Sequence, residues 1–208
     1  MSISAISQLF EKAISQNENS QIEFIHGIPE ILKVFPQAWI ASKFLPFLVS
    51  WLPKNNPTIM STLLPLIPDI ANASGSLLPS APLVEAILLS DNVEIAKQLT
   101  PILLQCSYLP HCLEFITQLS QSTYDCVRSY IPSIINLAGS DDSKRSILPT
   151  LVFDSSFCVR MEVLKYAQAT TSEELAHQVA ITLIKDFHSQ IRSLIPVLCS
   201  QQQFYVSH

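Results

Sequence analysis

Ile147-Leu148-Pro149-Thr150-Leu151-Val152-Phe153-Asp154-Ser155-Ser156-Phe157-Cys158-Val159-Arg160-Met161-Glu162-Val163-Leu164-Lys165-Tyr166-Ala167 reads as two amphipathic helices joined by a short polar turn. Val163, Tyr166 and Ala167 follow Val159 at the offsets that a helix of 3.6 residues per turn brings onto one face. Ile147, Leu148, Leu151 and Val152 form the matching face before the turn. Asp154-Ser155-Ser156 is too short and too polar to continue either helix.

The same register recurs along the chain. Val127 is followed by Ile131, Ile134 and Ile135, Ile95 by Leu99, Ile102 and Leu103, and Ile59 by Leu63, Leu66 and Ile67. Ile191 leads to Ile195, Leu198 and Cys199, and Phe24 to Ile28, Ile31 and Leu32. The anchors lie 35, 36, 32, 32 and 32 residues apart from Phe24 onward. Each has a partner helix before it, as in Leu83, Val84, Ile87 and Leu88, in Val179, Ala180, Leu183 and Ile184, or at Trp51, whose phase is a core phase. A fixed period of this size predicts stacked helical hairpins. The sequence therefore predicts an all-α solenoid of about six units in a single domain over 1–208. Their approximate bounds are 3–35, 37–74, 77–106, 109–138, 141–169 and 172–200.

Prolines support this reading. Pro29, Pro132 and Pro196 fall five residues after their anchors, and Pro65 and Pro101 six after theirs, so each would bend its second helix at a similar place. Asn56-Pro57 reads as an N-cap and first helical residue, and Thr171 with Glu174 as a capping box.

Val127-Arg128, Val159-Arg160 and Ile191-Arg192 occupy one phase of the repeat, and Asp154 and Asp186 precede the last two by the same distance. Phe44-Leu45-Pro46-Phe47-Leu48 and Ile147-Leu148-Pro149-Thr150-Leu151 supply a Leu-Pro-x-Leu-like run in first helices. This pattern resembles the HEAT repeat. The stretches Ile28 to Phe35 and Phe157 to Leu164 are similar to the scaffold subunit of type 2A protein phosphatase. The resemblance implies a right-handed α-α superhelix, with Arg128, Asp154, Arg160, Asp186 and Arg192 as members of a structural polar ladder between repeats. Lys54, Ser90 and Ser122 stand where earlier aspartates would be, which implies a ladder broken there and a smaller thermal effect of Lys54→Ala than of Arg160→Ala.

By the same resemblance, partners meet a ridge formed by the turns inside each hairpin. The corresponding residues are Lys54, Asn55, Asp91, Asn92, Ser122, Thr123, Phe153, Ser155, Phe187 and His188. The two phenylalanines have two readings: anchors for a partner, or caps folded under their own turns.

Composition narrows the function. Of the 208 residues, 48% are hydrophobic and 14% charged, with a net charge of −5 shared by both halves. No basic stripe of the kind needed to displace counterions from phosphates is present, so nucleic acid is not expected as a ligand. Uncharged stretches are short and proline-bearing, which argues against membrane insertion. The five cysteines (Cys106, Cys112, Cys126, Cys158, Cys199) are scattered. They are expected to be reduced structural thiols of a cytoplasmic or nuclear protein, with Cys126 and Cys158 sharing a packing position and Cys199 on a core face. No metal-ligand spacing, phosphate-binding glycine loop or nucleophile elbow occurs, so no cofactor and no enzymatic activity are expected. The sequence points to a noncatalytic scaffold or regulatory subunit that binds other proteins, with a phosphatase catalytic subunit as the partner the resemblance implies. A transport or trafficking adaptor of HEAT or armadillo type is the alternative. A helical-repeat DNA glycosylase is the rival from another class, disfavoured by the acidic charge.

Overall fold

A computed structural model describes residues 3–53, 56–90 and 92–203. The expectation of an all-α chain is borne out: among the described residues every regular element is helical. The chain divides into two compact units, Met1–Phe115 and Ile116–His208.

The first unit begins with α1 (Ile3–Ile14) and α2 (Glu18–Val34), which pack against each other. A short α3 (Gln37–Trp39) passes through a π-helical turn at Ile40–Phe44 into α4 (Leu45–Trp51). Phe10, Phe24, Phe47 and Trp51 form a cluster of edge-on and tilted rings, with centroids 5.0 to 6.0 Å apart. Trp51 is half-buried, and its indole N–H donates to the Ala13 carbonyl at 2.6 Å. Its phase is a core phase, but its polar edge needs a partner.

Next come α5 (Pro57–Leu63), α6 (Ile67–Ala73), α7 (Ala81–Leu88) and α8 (Val93–Leu104). Pro65 tightens the chain into a 3-10 turn, Leu64–Leu66, between α5 and α6, since its ring removes an N–H donor. Pro29, Pro101, Pro132 and Pro196 instead remain inside single helices. Asn56 caps α5 by accepting from the Ile59 N–H at 3.1 Å, and Asn92 caps α8 by accepting from Glu94 and Ile95 at 3.0 and 3.2 Å. α2 packs on α5 and α6, and α4 on α7.

The boundary between the units falls within α9 (Cys112–Ser120). The second unit continues with α10 (Asp125–Ile134), α11 (Asp141–Val152), α12 (Phe157–Ala169), α13 (Glu173–Leu183) and α14 (Ser189–Gln203). Gly139, at φ 77°, turns the chain after a 3-10 segment, Ile135–Ala138, and Ser140 caps α11. Alternate helices stack: α10 on α12, α12 on α14, and α11 on α13. Most of the positions read from the register are buried, among them Val127, Ile131, Val159, Val163, Ala167, Val179, Ile191 and Ile195.

Several local expectations are corrected. Ser172, not Thr171, caps α13 and makes no side-chain capping bond, while the Glu174 carboxylate pairs with Arg145 instead of closing a capping box. Cys199 is exposed, as are Cys158 and Ile184, whereas Cys126 is half-buried. Cys158 precedes the buried Val159 by one residue, which turns its side chain about 100° away from the core. Ile184 and Cys199 occupy core phases, but among the described residues no further helix covers them.

Candidate partner-binding surface

The turns of the second unit are built alike. Asp154 accepts from the Ser156 N–H and Asp186 from the His188 N–H, each at 2.7 Å, so each carboxylate closes its own turn two residues on. Ser122 does the same with its hydroxyl, accepting from the Tyr124 N–H at 3.2 Å. An arginine one turn into each following helix then reaches back to the carbonyl six residues earlier. Arg128 donates to the Ser122 carbonyl at 2.8 Å, Arg160 to that of Asp154 at 2.7 Å, and Arg192 to that of Asp186 at 2.6 Å.

The remaining edge of two of these guanidinium groups grips the next turn. Arg128 places Nε and Nη2 on the two oxygens of Asp154 at 2.6 and 3.0 Å. Arg160 holds Asp186 likewise at 2.6 and 3.3 Å. Such paired, side-on contacts suit the planar guanidinium and are stronger than neutral hydrogen bonds. Burial alone would raise the Asp154 and Asp186 pKa values. The arginine hydrogen bonds, the turn N–H groups and the nearby positive charges outweigh it and hold both below the ordinary aspartate value. The hydrogen bond from Arg128 to Asp154 is the main cause that raises the Arg128 pKa. Ser122 stands at the aspartate position of this pattern, and its hydroxyl cannot supply a second anionic oxygen. Arg192, which is exposed, has no carboxylate partner among the described residues.

Phe153 and Phe187 project from these turns and are 77% and 78% exposed. Neither caps the core. The Phe187 ring lies over the Arg160 guanidinium, 4.5 Å from carbon to centroid, a cation–π contact that holds the ring without covering it. The His188 ring lies tilted at 32° against Phe157, with centroids 4.1 Å apart. Ser155 and Thr123 are exposed, Ser122 is half-buried, and the Asn92 side-chain oxygen is occupied by its capping bonds. Lys54, Asn55 and Asp91 lie outside the described residues.

The turn residues do not stand alone. A groove of about 680 Å³ is lined by Phe153, Ile181, Ile184, Phe187, Ile195 and Cys199 among others. Ile181 and Ile184 are 60% and 55% exposed, and Tyr124 is 51% exposed on a neighbouring turn. The turn-based reading missed Ile181, Ile184, Tyr124 and Cys199. For Ile184 and Cys199 the signal was hidden, because their phase is that of residues buried elsewhere. Among the described residues no cluster of metal-ligating side chains is present, and no helix is long and apolar enough to cross a membrane. No protein-family model and no curated protein sequence matches this chain.

Proposed function

We propose that this chain is a noncatalytic, HEAT-like solenoid that binds other proteins through its turns, as a scaffold or regulatory subunit. The observation that carries the reading is the outward projection of Phe153 and Phe187 at equivalent turns, each more than three-quarters exposed. Large aromatic side chains held on rigid turns lose little entropy on binding and serve as anchors. The bonds from Arg128, Arg160 and Arg192 to the turn carbonyls support it, because they fix the backbone from which the rings project. A chain in which alternate helices pack on each other, as α10 on α12 and α12 on α14, suits an array whose turns line one edge.

A phosphatase catalytic subunit is the partner that the HEAT resemblance favours. A transport or trafficking adaptor has the same architecture and differs in what it captures. Affinity purification of the tagged chain from its own cells, with quantitative mass spectrometry of Phe153→Ala/Phe187→Ala beside the native protein, tests the reading. A stoichiometric protein partner lost in the variant supports it, and the partner's identity separates scaffold from adaptor. Partners retained equally by the variant remove the turn phenylalanines from the binding surface.

A further inference from the structure

The second unit displays the same helical surface three times, and among the described residues it is covered only twice. Arg128, Pro132 and Ile135 on one face of α10–Ile135 correspond, 32 residues on, to Arg160, Leu164 and Ala167, and again to Arg192, Pro196 and Cys199. In the first two sets the residues after the arginine are buried, and the arginine holds an aspartate 26 positions later. In the third, Pro196 and Cys199 are exposed, and so is Arg192. The preceding helices follow suit: Val152 is 5% exposed, and its counterpart Ile184 is 55% exposed.

Arg192 is already oriented. Its Nη1 donates to the Asp186 carbonyl at 2.6 Å, the bond that fixes Arg128 and Arg160 in the position from which they grip a carboxylate. Arg192 has no such carboxylate among the described residues, so its Nε and Nη2 edge presents an ordered two-point donor at solvent. Asp154 and Asp186, the carboxylates lining the groove, are already engaged by Arg128 and Arg160. Lys185, also lining it, is exposed and has no ion-pair partner among the described residues. The groove therefore offers an apolar floor with unmatched positive charge at its edge.

We infer that this face, formed by α13 and α14 with Ile184, Cys199 and Arg192, docks an amphipathic helical segment of another protein. That segment carries a carboxylate just before its first turn, which completes the open arginine fork. The inference deepens the protein-binding reading and rests on it. The carboxylate is specified by the two filled forks in the same unit, and the helix by the shape and apolarity of what covers their equivalents. A cation without that geometry would accept any anion, whereas this one selects a planar, two-oxygen acceptor.

The test uses the full chain and two fluorescein-labelled helical peptides. One bears a leucine stripe at helical spacing and a single aspartate before its first turn, and its twin has asparagine there. Anisotropy titrations should show the aspartate peptide binding about tenfold more tightly than its twin. Arg192→Gln should reduce that ratio to about one, and Arg192→Lys should leave it well below the native value. Ile184→Asp should abolish binding of both peptides. Native-like circular dichroism of the Arg192 variants, with cooperative melting lowered by no more than the loss of one turn hydrogen bond, establishes that the fold is intact. Equal affinity of the two peptides for the native chain, or no binding of either, overturns the inference. So does self-association in analytical ultracentrifugation that Arg192→Gln removes, which assigns the face to a second copy. Capture of partners through Phe153 and Phe187 without any carboxylate preference leaves the scaffold reading and removes this one. A carboxylate preference without such capture keeps this face as a docking site and removes the turn phenylalanines from the binding surface.

Discussion

Arg160 and Asp186 are each only 3% exposed at the side chain, and this sets them apart from the other ion pairs among the described residues. A buried pair is costly to assemble but far more costly to break, because the survivor is left charged and unpaired. Arg160→Ala should therefore destabilise by about 3 kcal/mol or more. Arg128→Ala, whose arginine is 15% exposed, should cost less, and Arg192→Ala should cost about 1 kcal/mol, the worth of one turn hydrogen bond. Denaturant melts of the three variants check the order. The same pairs make stability depend on pH. Asp154 and Asp186 have folded pKa values below the ordinary 3.8, so their contribution is fully present above that value. It is lost as pH falls through the depressed folded values. Urea melts between about pH 5 and pH 2 should show a steeper acid loss for the native chain than for Asp186→Asn.

Helices differ in how they are anchored at their ends, and that difference is measurable. Asn92 satisfies two otherwise unpaired N–H groups of α8. Asn92→Ala should cost about 1 kcal/mol, read as a shift in the urea midpoint. The helices themselves were legible because the offsets of four, seven and eight residues survive every substitution of one apolar residue for another. The capping at Asn56 was legible because asparagine before proline has few other uses. Thr171 with Glu174 misled because a long-range cation, Arg145, competes for the carboxylate. Phase reveals which way a side chain points, but not whether anything lies on top of it. That is why Ile184 and Cys199 read as core and stand exposed. The exposure of Phe153 and Phe187 was equally hidden, since a turn aromatic can fold under or out with the same local sequence. Phe187 points out partly because Arg160 offers its ring a cationic seat, a contact 27 residues distant in sequence.

At the scale of the whole molecule, the net charge of −5 is carried by both halves of the sequence, and the arginines of the second unit are largely consumed by carboxylates and turn carbonyls. Little cationic surface is left to track a phosphate backbone. The chain should pass through heparin resin at moderate salt, and retention that falls steeply with added salt would revive the DNA-repair alternative. Trp39, stacked on Phe35 at 3.9 Å, and Trp51, bonded to Ala13, are the two tryptophans of the chain. Both belong to the first unit, so emission excited selectively at tryptophan watches that unit alone, whereas far-ultraviolet circular dichroism sums the helices of both. Coincident unfolding curves by the two signals would mark one cooperative transition. Curves that part company would let each unit's melting be followed separately, with no label attached.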